Sequence, residues 1–434
     1  MPLPIEVLTL IVANTDPGNR HALRAASRDL RSAVDATCKA LALPGAHTCS
    51  PAAAVLALQR AAACCHRWGG VRALTLRDLG AECMGPALAL LNGAARHCPE
   101  LSSIALSRLD RDLSLVLTTC LSSCCLASLT SLALTAPNPK QPLLLTPLGE
   151  LASLTALTLV GRADGASAAW LPPGLRRLRL VAHSMNHSGI GGTSWLDAIG
   201  ACCGLEVLEL SWLDALDLGP EPDHPDDEFD FTKFYSSIGQ LTNLRELSGI
   251  FCRVADGAAD CYSFDTLDPY LLLPQLTALQ RLALYAGFED ELEPVFKGPL
   301  SSLAAQCATL EELAFNVQPA ADAHAALAPC FPRLDSLHIT FKEHGCYPTS
   351  LRSTFPAVSR LTEAPLEKCL ELAIAPQIRV LEVHGCTFDD EVSLSALATS
   401  LRVVSRRRQG FSVVVEPGPL YPPPCLLPPD ILDG

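Results

Sequence analysis

Cysteine and histidine are the residues of this sequence with the widest chemical range, because a thiolate or an imidazole can be a nucleophile or a metal ligand. The chain has 19 cysteines and 11 histidines among 434 residues. Three pairs of cysteines, Cys64–Cys65, Cys124–Cys125 and Cys202–Cys203, are adjacent and therefore poor disulfide partners, and the C-x-x-C spacing of zinc and redox sites is absent. We therefore predict buried, reduced thiols and no metal site.

Sequence motifs of catalysis are also absent. The chain has no G-x-x-x-x-G-K-[ST], no H-E-x-x-H and no G-x-S-x-G. The glycine-rich run Gly189–Gly192 lacks the spacing of a phosphate-binding loop. We predict that the protein is not an enzyme, has no catalytic residues and needs no cofactor.

A strongly acidic run extends from Asp214 to Asp230, with eight acidic residues, no Lys or Arg and three prolines. Three interpretations stay open: a solvated loop, a docking site for a basic partner and a calcium site, although the EF-hand spacing is absent. The net charge of the whole chain is −14, which argues against binding to nucleic acid or to anionic membranes.

One segment, Leu113 to Asn138, contains no charged residue and is long enough to span a bilayer. It is rich in Ser and Thr, and we predict a buried helix followed by a strand and no membrane association. The sequence has no basic region before its first apolar stretch, so its start does not resemble a secretory signal.

The pattern L-x-x-L-x-L recurs twelve times, with substitutions among aliphatic residues. Successive copies are 20 to 39 residues apart, and most of these intervals lie near the period of roughly 20–29 residues that leucine-rich repeats have. Two copies are damaged, at Leu244–Leu247 and Val358–Leu361. The first residues of the twelve copies are Val71, Leu101, Leu129, Leu154, Leu175, Leu205, Leu244, Leu279, Leu310, Leu334, Val358 and Ile378.

The spacing within each copy has a physical reason. Alternating leucines lie on one face of a short strand, and stacked strands can bury that face together. The fold class that we predict is α/β: a leucine-rich-repeat solenoid with a curved parallel sheet and outer helices, preceded by a short all-α segment. His97 to Leu106 and Val383 to Glu391 resemble the junctions of the cysteine-containing subclass of leucine-rich repeats.

Side chains between the inward leucines should line the concave surface of such a solenoid. They are small in the early copies and larger or charged in the later ones. We predict a partner-binding face formed by Arg177, Arg179, Glu209, Arg281, Tyr285, Glu312, Asn316, His338, Glu382 and His384.

The N-terminal segment reads as short helices interrupted by a turn at Asp16–Asn19. Its Leu-Pro-x-Glu start and the stretch from Leu23 to Val34 resemble an F-box, although Leu30 takes the place of the family's aromatic residue. The resemblance implies binding to a Skp1-type adaptor through Leu3, Pro4, Leu8, Ile11, Leu23, Ser27 and Leu30. The alternative is that these helices only cap the first repeat.

We predict four regions: an F-box-like segment at 1–43, a helical connector at 44–66, the repeats at 67–402, and a closing hairpin with a Pro-rich tail at 403–434. The second helix of the F-box-like segment is expected to reach about Leu43. Insertions are expected at 214–235 and 251–270. Arg406–Arg408 is either a solvated turn or a nuclear signal.

Together these features predict a protein-interaction module, the substrate-recognition subunit of an SCF-type cullin-RING ubiquitin ligase, acting in protein degradation. Its partners would be the adaptor and a protein substrate. The expected location is the cytoplasm, and a nuclear location stays open. The alternative function is a non-catalytic scaffold in a cytoskeletal or ciliary (axonemal) assembly.

Overall fold

The computed structural model of the protein describes residues 38–43, 50–109, 114, 116, 118–121, 128–137, 142–144, 148, 151–164, 171–182, 195–214, 236–253, 275–288, 309–317, 333, 336–341, 379–384, 406, 410 and 412–416. The chain divides into two compact units, one of Met1–Ala182 with His187–Ala198 and the other of His183–Asn186 with Ile199–Gly434.

The first unit contains a ladder of parallel strands that pair in chain order. Their bounds are β1 Ala40–Leu43, β2 Ala73–Leu76, β3 Ser103–Leu106, β4 Ser131–Thr135, β6 Ala156–Val160 and β8 Arg177–Ala182. Two short strands, β5 Pro142–Leu144 and β7 Arg162–Asp164, pair with each other in a separate parallel ribbon.

Helices separate the early strands, as a parallel sheet requires. Helix α1 is Pro51–Cys64 and helix α2 is Met84–His97. Pro51 stands in the first turn of α1, and the hydroxyl of Ser50 accepts a hydrogen bond from the backbone N–H of Ala53 at 3.3 Å, so this helix begins with a side-chain cap. A short helix, α3, is Trp195–Gly200.

The second unit contains a further run of parallel strands in chain order. They are β9 Val207–Asp214, β10 Glu246–Arg253, β11 Arg281–Phe288, β12 Glu312–Val317, β13 Ser336–Phe341, β14 Val380–His384 and β15 Ser412–Glu416. The fold class is therefore α/β with all-parallel strands among the described residues.

Register within each unit aligns the aliphatic positions of the repeat. Leu74, Ile104 and Leu132 are neighbours on consecutive strands, and Leu208, Leu247 and Leu282 are aligned in the same way. All six are buried. The predicted alternation is confirmed for these copies, including the damaged one at Leu244–Leu247, because the inward residues share one dry layer.

A tight turn precedes many of the strands. The first aliphatic residue of a copy donates its backbone N–H to the carbonyl three residues earlier, as Leu101 does to Cys98 at 3.0 Å and Leu205 to Cys202 at 2.9 Å. The same bond joins Val71 to Trp68, Leu154 to Leu151, Leu175 to Pro172, Leu244 to Leu241 and Leu279 to Leu276. The residue that accepts this hydrogen bond, three positions before the first aliphatic residue, is buried in every case. The repeat therefore has a further buried position that the L-x-x-L-x-L pattern does not include.

Hydroxyl groups join neighbouring repeats at the N-terminal ends of the strands. Thr130 Oγ1 donates to the carbonyl of Ser102 at 3.1 Å, and Thr155 Oγ1 donates to that of Thr130 at 3.2 Å. The same two carbonyls accept backbone N–H groups of the next strand. Each of these two carbonyls therefore accepts two backbone N–H groups and one hydroxyl, so the side chains add a third inter-repeat hydrogen bond at the same oxygen.

Three expectations about element bounds are wrong. Residues Ala40–Leu43 form a strand paired with β2, whereas the N-terminal helix was expected to reach about Leu43; pairing along a free strand edge outweighs the helix propensity of Ala and Leu. The insertions expected from Asp214 and Phe251 begin later, since β9 and β10 continue to Asp214 and Arg253. Register pairs Phe251 with Trp212 and Arg253 with Asp214, so the backbone pairing of β9 with β10 keeps these residues in the strands.

The closing hairpin expected near the end of the repeats is described only in part: the strand expected at Phe411–Val415 is β15 Ser412–Glu416, and residues 401–405 lie outside the described residues. Strand β15 pairs with β14 in parallel, and two parallel strands cannot be joined by a tight hairpin turn. Residues 385–411 provide a connection long enough for a crossover. The last described strand of the second unit thus adds one more parallel strand to the ladder.

Parts of the uncharged segment Leu113 to Asn138 are described. Residues 118–121 are helical, Leu121 is buried, and β4 follows, as predicted. Within the part of the chain that is described, no helix has the length and apolar character needed to cross a membrane.

Candidate functional site

The face of the sheet opposite the buried aliphatic rows carries the side chains available to a partner. In the first unit these positions are half-buried and small: Ala73, Thr75, Ser103, Ala105, Ser131, Ala133, Ala156 and Thr158. The row ends on β8 with the exposed Arg177 and the half-buried Arg179. Such a surface lets another backbone approach closely over most of its width and offers guanidinium groups on its last strand.

In the second unit the first position of three neighbouring strands forms a charged row. Register places Glu246, Arg281 and Glu312 side by side on β10, β11 and β12. Arg281 Nη1 lies 3.3 Å from Glu246 Oε1, and Arg281 Nε lies 3.4 Å from Glu312 Oε2. We call these three residues the charge row.

The charge row is open to solvent. The side chains of Glu246, Arg281 and Glu312 are 42%, 58% and 35% exposed to solvent. Ion pairs this exposed contribute roughly 0–1 kcal/mol each to stability. The row is therefore better suited to recognising a polar partner than to holding the sheet together, since its carboxylates and guanidinium remain accessible.

Two further ion pairs lie at the ends of strands in the first unit. Arg72 Nε is 2.9 Å from Glu100 Oε2, and Arg108 Nε is 3.1 Å from Asp78 Oδ1. The hydrogen bond and charge of Arg72 lower the pKa of Glu100 below its ordinary value. Asp78 and Arg108 both have positive φ, 49° and 58°, and stand two residues after the last buried residue of their strands, so the same left-handed turn recurs.

Among the cysteines whose side chains are described, Cys65, Cys83, Cys98 and Cys202 are buried, Cys203 is exposed, and the others are half-buried. Burial, and to a smaller extent Cys65 and Cys38, raise the pKa of Cys98 to about 11, and burial followed by the neighbouring Cys203 raises that of Cys202 to about 11. The described cysteines are free thiols. Among residues whose side chains are described, no three His, Cys, Asp or Glu side chains cluster closely enough to hold a metal ion.

The predicted partner-binding residues are brought onto one face within each unit, as far as they are described. Arg177 and Arg179 belong to the first unit, whereas Glu209, Arg281 and Glu312 have described side chains in the second. The remaining five are placed by the backbone alone on β11 to β14: Tyr285, Asn316, His338, Glu382 and His384.

The predicted adaptor-binding residues lie outside the described residues. These are Leu3, Pro4, Leu8, Ile11, Leu23, Ser27 and Leu30. The acidic run after Asp214, the copy at Val358–Leu361 and the Pro-rich tail also lie outside them, and Arg406 is the one described residue of its arginine run.

Sequence reasoning missed Glu246 and the hydroxyls of Thr130 and Thr155. Glu246 belongs to the damaged copy, where Gly249 takes an aliphatic place, but it occupies the same position as Arg281. Counting back from Leu247 would have found it. The hydroxyls stand just before a strand, a place that the aliphatic pattern does not mark.

The fold and the face define an α/β protein built from repeated parallel strands. Neither a comparison with protein-family models nor a search of curated proteins gives a match for this chain.

Proposed function

We propose that both units are leucine-rich-repeat segments and that the protein binds another polypeptide on the face opposite its aliphatic rows. The observation that carries this proposal is the charge row. Three solvent-accessible, alternately charged side chains lie in register on neighbouring strands; such pairs contribute little to stability and offer charges that a complementary partner can recognise.

Substitution in the charge row tests the partner-binding face. Proximity labelling in cells with the full chain should give a set of labelled proteins that Arg281→Glu reduces, because three adjacent carboxylates would replace the alternating charges. Arg60→Glu, on the exposed side of α1, is the matched control and should keep the set. Identical labelling by the wild type and Arg281→Glu would contradict the proposal for this face.

We further propose that the chain is the substrate-recognition subunit of an SCF-type ubiquitin ligase. Support comes from the F-box-like residues of the N-terminal segment, followed by a repeat array that starts at β1. In this arrangement the N-terminal segment holds a Skp1-type adaptor, the repeats hold the substrate, and the ligation chemistry takes place on other subunits.

A pull-down of the full chain with a purified Skp1-type adaptor tests this role. Leu3→Asp and Leu30→Asp should abolish binding, because each places a charge in an apolar contact. Leu56→Asp is the control, since Leu56 on α1 is 44% exposed and lies outside the predicted contact. Absence of binding, or binding that ignores both changes, removes the ligase role and favours the scaffold alternative.

A further inference from the structure

Two basic dipeptides stand at the same place in consecutive repeats of the first unit. His66 and Arg67 end the single helical turn that follows α1, and Arg96 and His97 end α2. Each pair directly precedes the buried residue whose carbonyl accepts the hydrogen bond of the turn before the strand. Two neighbouring copies are therefore basic at corresponding positions.

The two dipeptides lie together on the surface. The rings of His66 and His97 form a T-shaped pair, with their centroids 6.4 Å apart and their planes at 78°. All four side chains are exposed. We call His66, Arg67, Arg96 and His97 the basic patch. The contact between the two rings brings the ends of the two helical segments side by side.

The basic patch has the opposite sign to the protein as a whole. Residues 38–109 contain seven Lys and Arg and three Asp and Glu, whereas the net charge of the whole chain is −14. Arg72 and Arg108, elsewhere in the same range, are held in ion pairs. Within the described part of the chain, Arg67 and Arg96 have no such partner. The patch therefore presents cationic groups to a ligand.

The simpler explanation is that these side chains complement the dipole at the end of a helix. Other copies of the repeat argue against it. The same two places hold Gly200–Ala201 in the copy that begins at Leu205 and Gly239–Gln240 in the copy that begins at Leu244. The hydrogen bond of the turn forms in both of these copies. Folding of the turn therefore does not require basic residues.

We propose that the basic patch is a docking site for an acidic segment, rich in Asp and Glu, of a partner protein. Guanidinium groups bind carboxylates through paired, charge-assisted hydrogen bonds, and imidazole N–H groups are further donors. The net charge of −14 disfavours nucleic acids and anionic membranes, so a short acidic segment is the ligand that fits a local patch. The basic patch lies in the first unit and does not depend on the charge row.

Fluorescence polarisation of a fluorescein-labelled peptide of alternating glutamate and glycine residues measures binding to the full chain at low ionic strength. The wild type should bind this peptide. Arg67→Glu and Arg96→Glu should each weaken the affinity at least about fivefold, because they place like charges together. Arg77→Glu is the matched control, since Arg77 is exposed directly after β2, at the other end of the strand, and the substitution changes the net charge equally.

Two further probes identify what the patch recognises. A peptide with glutamine in place of glutamate should not bind, because it lacks the carboxylates. A single-stranded oligonucleotide should bind more weakly than the glutamate peptide. Tighter binding of the oligonucleotide, lost in Arg67→Glu and Arg96→Glu, would overturn the proposal and make the patch a nucleic-acid site.

Circular dichroism checks that each variant keeps its fold; if one of Arg67→Glu and Arg96→Glu does not, the other decides. Arg281→Glu should leave the affinity for the glutamate peptide unchanged, so the basic patch and the charge row are tested separately. No binding of the peptide by the wild type, or equal weakening by Arg77→Glu, would overturn the proposal.

Discussion

Adjacent residues of this protein have very different chemistry because the turn before each strand buries one and exposes the next. Cys202 is buried in the turn that leads into β9, whereas Cys203 is exposed. The thiolate is the nucleophilic form of cysteine, so burial that raises the pKa of Cys202 also makes it inert. The two residues form a natural internal comparison.

Brief alkylation of the native chain should therefore label Cys203 and spare Cys202. Cys202 should stay protonated up to its pKa of about 11 and resist reagent in its buried position. Peptide mapping by mass spectrometry gives both yields in one sample; equal labelling would contradict the burial of Cys202.

Removing the central cation of the charge row should change stability only slightly. We expect Arg281→Gln to lower the free energy of unfolding by about 0.5–1 kcal/mol at low ionic strength, because two exposed pairs are lost. At 1 M salt, where the screening length is about 3 Å, the difference should nearly vanish. Urea unfolding measures it, with Arg60→Gln on α1 as control for the change in net charge. A loss above about 3 kcal/mol would mean that the row is structural.

At the scale of elements, close packing decides what the helices tolerate. Gly93 lies in α2, where glycine normally costs about 1 kcal/mol relative to alanine. A Cβ at this position would come within 2.5 Å of Cys65 Sγ. Cys65 is itself fixed, since it is buried and its Sγ donates to the carbonyl of Ala62 at 3.0 Å.

Gly93→Ala should consequently destabilise the protein by roughly 1–3 kcal/mol through overpacking, against its helix propensity. Gly85→Ala, in the same helix with nothing within 4 Å of a new Cβ, should be neutral or stabilising. Thermal unfolding of both variants gives the comparison.

The double variant Gly93→Ala with Cys65→Ala isolates the cause, because it removes the clashing sulfur. It should be more stable than the sum of the two single changes predicts. Strict additivity would show that the sulfur is not what limits α2 at this position.

At the scale of the whole molecule, repeated strands depend on their neighbours. Each strand buries its aliphatic residues against the next copy, and hydroxyls such as that of Thr130 join consecutive repeats. Stability in such arrays is approximately a sum of repeat and nearest-neighbour contributions. Damage to one strand should therefore spread along the chain within its unit.

Leu106→Asp should remove at least about 4 kcal/mol, because it buries an unpaired charge in β3, where Leu106 is only 1% exposed. Hydrogen exchange should show lost amide protection in β3 and also in β2 and β4. Ala105→Asp is the control on the opposite face of the same strand and should leave protection unchanged. Loss confined to β3 would contradict coupling between repeats.

The sequence by itself determined the positions and direction of the strands that carry intact aliphatic triplets. A triplet such as Leu205, Leu208 and Leu210 encodes a strand with one apolar face, and several such strands have no other way to bury that face than side by side. The opposite face follows from the same alternation, which is why Arg281 and Glu312 could be assigned to it.

Only the tertiary structure decided which elements join the ladders where the local pattern is weak. Ala40–Leu43 is a strand because a neighbouring strand offers it unpaired N–H and C=O groups, and Ser412–Glu416 pairs in parallel with β14; no local window contains either condition. The pairing of Arg281 with Glu246 and Glu312 likewise depends on register between segments far apart in sequence. Alternation fixes the face of a residue, but only hydrogen bonding between strands fixes its neighbours.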